Sequence, residues 1–451
     1  MILVDTALEQ RHREGNPVRV GMVGAGFMGR GIALQILTAI RGMKLVAIAS
    51  RTLAEAERAY REAGAEAIKA VETLAELEET VHRGQYAVTD DAGLVCQAKG
   101  IDAVIEVTGE VEFGAEVALR AIEHRKHVIL MNAELDATIG PILKVYADRA
   151  GAIITNADGD QPGVIMNLYR FVNAIGYRPV LAGNIKGLQD PYRTPETQKG
   201  FASKHHQKPR MVTSFADGTK ISMEMAVVAN ATGFRVAKRG MYGHKCMHIQ
   251  EALKLFPIDV LLNGGIVDYV LGAEPGPGVF VLGFNDHPIK QQYLRYLKMG
   301  DGPLYLFYIP YHLCHLEVPL SVARAVLFKD AAVTPIGGPV CEVITLAKRD
   351  LKEGEVLDGN GGFTCYGMIE NEHVSHVENL LPMGLSDGGM VKRDIRRDQP
   401  ISYNDVEVPA GRICDKLRTE QKAYFIASRA PWRPSVIQTG KLEAAGASLY
   451  E

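Results

Sequence analysis

A glycine-spaced turn between a strand and a helix places the tightest limit on how this chain can fold. Val18 to Val23 is an apolar run of strand density that leads directly into Gly24-Ala25-Gly26-Phe27-Met28-Gly29. Met28, Ile32, Ile36 and Ile40 then recur on one face of a helix. A tight turn of this kind aims free backbone N–H groups and the positive end of a helix dipole at one point, which makes an anion site. The expected guest is the pyrophosphate of a dinucleotide, with Gly24, Ala25, Gly26, Phe27, Met28 and Gly29 as its contacts.

Strand and helix patterns alternate through the first third. Lys44 to Ser50 reads as a second buried parallel strand, Ala54 to His82 as helix and Ile101 to Val107 as strand. A helix from Phe113 to about His124 follows, then strands at His127 to Asn132 and Ala152 to Thr155. This order predicts a doubly wound parallel sheet of Rossmann type, with ligands bound past the carboxyl ends of the strands. Thr108, Gly109, Asn132, Ala133 and Glu134 are therefore expected on the nicotinamide side of the crevice. The second strand ends in Ser50-Arg51-Thr52 where an NAD site usually has an acid, and an arginine with two hydroxyls suits a 2′-phosphate. The expected cofactor is NADP(H).

At 451 residues the chain exceeds one hydrophobic core. We read residues 1–155 as the cofactor domain and 156–335 as an α+β domain for substrate and subunit contacts. Residues 336–451, opening at the Gly/Pro linker signal Pro335 to Pro339, read as a small β-rich domain. A net charge of −3 argues against a general nucleic-acid or anionic-membrane partner. Six dispersed cysteines without a C-x-x-C indicate reduced thiols, and no segment approaches a membrane span. A cytoplasmic homo-oligomer is expected.

Candidate chemistry lies after the last Rossmann strand. Asn156-Ala157-Asp158-Gly159-Asp160-Gln161-Pro162-Gly163 is a polar turn at the domain junction. Lys186 ends a strand, where partial desolvation suits a proton-transfer group. Gly187 to Arg210 reads as a long loop in which Arg193, Lys199, Lys204, Lys208 and Arg210 outnumber Asp190 and Glu196. With Ser203, His205 and His206, this loop suits an anionic substrate. Arg210 to Phe215 and Lys220 to Met225, flanking Asp217-Gly218, read as a hairpin. The groups His244-x-Cys246-x-His248 and His312-x-Cys314-His315 lack the paired spacings of a structural zinc site. We assign catalytic roles to Lys186, Asp160, Lys204 and His205, and substrate contacts to Arg193, Ser203, Lys208 and Arg210.

The glycine turn, Val107-Thr108-Gly109 and Met131-Asn132-Ala133 are similar to the homoserine-dehydrogenase-like NAD(P) domain. Ala347-Lys348-Arg349-Asp350-Leu351-Lys352-Glu353-Gly354-Glu355-Val356-Leu357-Asp358 is similar to an SAF domain. Over nearly the whole chain the combination resembles the second class of 1-deoxy-D-xylulose 5-phosphate reductoisomerases. That resemblance implies a metal-assisted isomerisation of a phosphorylated sugar followed by reduction with NADPH to 2-C-methyl-D-erythritol 4-phosphate. It also implies Mg²⁺ or Mn²⁺, for which Asp158 and Asp160 are the candidate ligands. The alternatives are a homoserine or sugar-acid dehydrogenase and a non-catalytic NADP sensor. In homoserine dehydrogenases a lysine would follow the Asn132 strand end, where this chain has Glu134.

Overall fold

The computed structural model describes residues 3–427. Trp432, in the terminal stretch, lies outside them. Among the described residues the first sheet contains β1 (Val18–Val23), β2 (Met43–Ala49), β3 (Ile68–Ala70), β4 (Tyr86–Thr89), β5 (Ala103–Glu106), β6 (His127–Leu130) and β7 (Ile154–Asn156). Its order is β3-β4-β2-β1-β5-β6-β7 and every pairing is parallel. The doubly wound α/β sheet expected from the sequence is thus observed. Its strands are apolar on both faces because helices cover both, as parallel sheets require. The Phe27–Ala39 helix buries Ile32, Ala33 and Ile36 on one side, and the Val111–Glu123 helix buries Ala115, Ala118 and Ala121 on the other.

One reading in this half needs correction. Ala54 to His82 is not a single helix but two, Leu53–Glu62 and Leu74–His82, with β3 between them. Gly64, at φ +85°, ends the first helix, and Thr73 starts the second with a capping box to Glu76.

After β7 the chain enters a second sheet, of β8 (Arg178–Lys186), β9 (His244–Lys245), β10 (Ile266–Leu271), β11 (Gly278–Phe284) and β12 (Leu304–Ile309). Its order is β12-β11-β8-β10-β9, with β8 parallel to β10 and antiparallel to β11. Alternation along β8 sends Ala182 to a core with the Gln161–Ala174 and Thr219–Thr232 helices. Leu181 and Ile185 face a smaller core with Phe256 and Leu261 on the opposite side.

The expected hairpin around Asp217-Gly218 is a helix–turn–helix instead. Pro209–Ala216 and Thr219–Thr232 are both helical, and Gly218 turns between them at φ +91°. Nor is Gly187 to Arg210 without structure, because it contains the Pro195–Lys204 helix, opened by a capping box at Thr194. Alternation in short apolar runs favoured strands, but burial all round the Thr219–Thr232 helix removes the polar face that marks an amphipathic helix.

Beyond Pro339, β13 (Cys341–Ala347) pairs antiparallel with β14 (Cys365–Asn371), and β15 (Met390–Val391) with β16 (Val406–Glu407). Val343, Cys365, Ile369 and Ile401 share one continuous core with the Thr219–Thr232 helix. The chain finally returns to the first domain, where the Ile413–Ala427 helix lies on the Val111–Glu123 and Ala133–Ala150 helices. No helix among the described residues is long and apolar enough to cross a membrane.

Candidate functional site

The glycine turn is built by close backbone approach. Gly24 stands at φ +113°, and a Cβ there would lie 2.8 Å from the Val107 carbonyl oxygen. At Gly29 a Cβ would lie 2.5 Å from the Gly24 carbonyl oxygen, so the helix rests directly on the turn. Gly26, at the helix N-cap, has no heavy atom within 4 Å of a Cβ position. Two glycines are therefore needed for packing and the third leaves backbone amides open, which fits a dinucleotide pyrophosphate. Ala25 is buried, whereas the Phe27 ring is exposed.

The other expected cofactor residues divide. Ser50 and Thr52 flank Arg51 at the end of β2, and the exposed Arg51 has no bonded partner among the described residues. Arg30 is held by Glu55 and Glu62. Thr108 is tied to Glu106, which accepts from both its N–H and its hydroxyl. Gly109, at φ +72°, lies under Met211. Asn132 caps the Ala133–Ala150 helix by accepting from Leu135 N–H at 3.1 Å and donates to the Glu110 carbonyl at 2.9 Å. Its side chain is thus taken up by the fold.

A buried group of charges is drawn from five segments of the chain. Asp160 N-caps the Gln161–Ala174 helix, and Lys186 ends β8. The Lys186 ammonium donates to Gln161 Oε1 at 2.5 Å and pairs with Glu224 Oε2 at 3.1 Å. Glu224 also accepts from Asn184 at 3.3 Å. One turn before it on the same helix, Lys220 pairs at 3.3 Å with Glu134, in the first turn of the Ala133–Ala150 helix. His312 and Cys314 close the group, with His312 Nδ1 3.3 Å from Cys314 Sγ. One oxygen, nitrogen or sulfur atom from each of Asp160, His312 and Cys314 lies within 4.8 Å of the others.

Burial and charge set the protonation of this group. Burial would lower the Lys220 pKa, but Glu134, Asp160 and Glu224 outweigh it and hold the ammonium well above its usual range. Burial raises Glu224, and Asp160 adds to that while Lys186 and Lys220 oppose it. His312 is lowered by burial and by Lys186, and Cys314 is pushed up to about 12 by burial beside Asp160 and Glu224. Cationic lysines thus meet a carboxyl with raised affinity for protons, an arrangement suited to moving a proton.

Asp158 does not join Asp160 as a metal ligand. Its carboxylate accepts from Asn167 at 2.6 Å, Ser321 at 3.0 Å and Arg324 at 2.9 Å, so its lone pairs are occupied. The turn at Gly159 sends the two aspartates to different neighbours. The basic segment is likewise redirected. Arg193 pairs with Asp190 at 3.0 Å, and Arg210 donates to the carbonyls of Asp358 and Asn360. Ser203, Lys204 and His205 are exposed, the last stacked on Phe201, and none bonds to the buried group; Lys208 N-caps the Pro209–Ala216 helix on the surface. Lys204 and His205, expected as catalytic residues, thus stand apart from the buried group. Lys220 and Glu224 escaped notice because they fell in a segment read as a strand. Their i,i+4 spacing on a helix would have shown them on one face. Among the described residues His244, Cys246 and His248 form no cluster able to hold a metal ion.

The comparisons with known proteins follow the same division. Residues 18–130 match the model of the Gfo/Idh/MocA oxidoreductase family, NAD-binding Rossmann fold. Residues 159–318 match that of the oxidoreductase DRL, catalytic domain. The chain carries an NAD(P)-binding Rossmann domain. A stretch of 122 residues is 34% identical to homoserine dehydrogenase of Methylobacillus glycogenes, covering 27% of this chain and 26% of that protein. Among solved structures, scyllo-inositol dehydrogenase from Lactobacillus casei, with bound NAD(H) and scyllo-inositol, aligns at 18% identity and a TM-score of 0.35, over 59% of this chain and 73% of that one. Myo-inositol 2-dehydrogenase from Lactobacillus plantarum aligns at 13% identity and 0.38, over 70% and 91%. Both matched models are of oxidoreductases, one with the Gfo/Idh/MocA dinucleotide fold. They replace the reductoisomerase expectation and remove the isomerisation step and the SAF assignment that came with it.

Proposed function

We propose that this protein is an NADP(H)-dependent dehydrogenase of a small hydroxylated substrate of the homoserine or sugar-acid class, with Lys186 as its proton-transfer group. Residues 1–155 would hold the cofactor and 156–335 the substrate. The observation that carries this reading is the ammonium of Lys186, fixed between Gln161 and Glu224 at the end of β8. A bound nicotinamide supplies or accepts hydride at the substrate carbon. The oxygen on that carbon must gain or lose a proton in the same event, and a positioned ammonium does this without solvent reorganisation. Glu224, with its raised proton affinity, passes the proton on from Lys186. Lys220 stands against Glu134, at the place where homoserine dehydrogenases have a strand-end lysine. The cation there comes from another helix.

Support for the phosphorylated cofactor comes from Arg51, exposed and without a bonded partner at the end of β2. The assay is oxidation of homoserine and of sugar acids with NADP⁺ and NAD⁺ in parallel. Turnover with a hydroxylated substrate and a preference for NADP⁺ are expected. Binding of NADPH with no turnover on either substrate class would overturn the dehydrogenase reading.

A further inference from the structure

The geometry points to a divalent metal site of the zinc class formed by Asp160, His312 and Cys314. The ion's catalytic role rests on the proposed dehydrogenase reading; its binding does not.

The donor set is the first argument. A carboxylate, an imidazole and a thiol converge within 4.8 Å, and the imidazole-to-sulfur separation is 3.3 Å. Ligands at about 2.0 to 2.3 Å around a tetrahedral ion stand about 3.3 to 3.8 Å apart, so small side-chain rotations complete the shell. Sulfur and nitrogen donors select zinc, cobalt or iron(II) over Mg²⁺ and Mn²⁺, which prefer oxygen. The cation expected from the sequence therefore changes in kind along with its ligands.

Charge is the second argument. Three carboxyl groups, those of Glu134, Asp160 and Glu224, meet two lysines, Lys186 and Lys220, so with all three ionised one negative charge is in excess. Loss of the Cys314 proton to a bound ion would make the excess two, and a divalent cation cancels it.

Support behind the ligands is the third. His312 Nδ1 faces the Cys314 sulfur, so the imidazole is already turned towards the other donors. Gly159, at φ +82°, admits the start of the Cys314–Ala323 helix so closely that a Cβ would lie 2.7 Å from the Cys314 carbonyl oxygen. A glycine there brings Asp160 and Cys314 to one place. Three protein ligands leave a fourth position for a substrate oxygen, which the ion would polarise.

The full-length protein, stripped by a chelator, is titrated with Co²⁺ and followed by visible and near-ultraviolet absorption. Saturable binding of a single ion per chain with a thiolate-to-cobalt charge-transfer band is expected, together with displacement by Zn²⁺. Cys314→Ser should abolish the band, and His312→Gln should weaken cobalt binding by at least about tenfold. Unchanged NADPH affinity in both variants will show that they are folded. A missing band in the unaltered protein, or a band kept in Cys314→Ser, overturns the site. Failure of the dehydrogenase reading looks different: cobalt binds with its band, yet no hydroxylated substrate reduces NADP⁺.

Discussion

Two turns in this molecule share one geometry and have opposite chemistry. Each leads from a strand of the first sheet through a glycine into a helix, and each is closed by a second glycine in the first helical turn. Gly29 rests on the Gly24 carbonyl, where a Cβ would come to 2.5 Å, and Gly163 rests on the Ala157 carbonyl, at 2.4 Å. The first turn has no ionisable side chain and leaves its amides open at Gly26. The second carries Asp158 and Asp160, so the helix start meets the chain's own anions. An open helix N-terminus recruits an anion from outside, whereas one fronted by buried carboxylates gathers cations and protons.

The comparison is broken most severely at Lys186. Lys186→Ala should lower kcat by about 10²- to 10⁴-fold, the usual worth of a positioned proton-transfer group, with NADPH affinity unchanged in a fluorescence titration. An equal loss in both measurements would instead tie the lysine to the first turn.

Next in size is Asp136, whose carboxylate bonds Asn156 immediately before the second turn. Burial raises it to about 7, and the Asn156 bond only partly opposes this. The folded protein therefore holds the proton more tightly than the unfolded chain. The stability it contributes is full below about pH 4 and is lost as pH rises towards about 7. At about 1.4 kcal/mol per pKa unit the span is roughly 4 kcal/mol at most. Asp136→Asn should flatten the denaturant midpoint between pH 4 and 8; an unaltered slope would show that the carboxyl does not titrate there.

Gly159→Ala sharpens the contrast between the turns. Its Cβ would press on the Cys314 carbonyl and on Glu317 at a positive φ, shifting Asp160 from Cys314. A displacement near 1 Å costs about 10²-fold in kcat. The cofactor dissociation constant should stay within about twofold, since the first turn is untouched. Arg51→Ala is the mildest change and acts on the first turn alone. It should reduce the preference for NADPH over NADH by about tenfold, the worth of one charge-assisted contact, when the two Michaelis constants are compared.

What could be read in the sequence follows from the same contrast. The glycine turn and its sheet are local: Val18 to Ile40 contains the strand, the turn and the helical face, so spacing alone reveals them. The fold of the first domain was accordingly legible, apart from β3, where Gly64 ends a helix within a stretch of uniformly helix-favouring residues. The charged group is not local. Asp160, Lys186, Lys220, Glu224 and His312 meet only because two sheets and a helix buried all round bring them together, and no window of sequence contains them. Lys186 was visible as a lysine ending a strand. Lys220 and Glu224 were hidden by an apolar alternation that suits a buried helix as well as a strand. The basic segment after Lys186 shows the converse error, since Arg193 and Arg210 are positively charged in a row yet each is engaged by a neighbour.

The path of the chain has a mechanical consequence. The first domain is joined to the second at β7, and the Cys314–Ala323 helix later returns to lie on the Phe27–Ala39 helix, with His315 packed at Gly31. The Ile413–Ala427 helix then clasps the opposite face, where Tyr146 donates to Glu420 and Glu112 accepts from the amides of Ile413 and Cys414. A clamshell opening about a single hinge would have to tear both straps, so the two halves are latched into a closed loop.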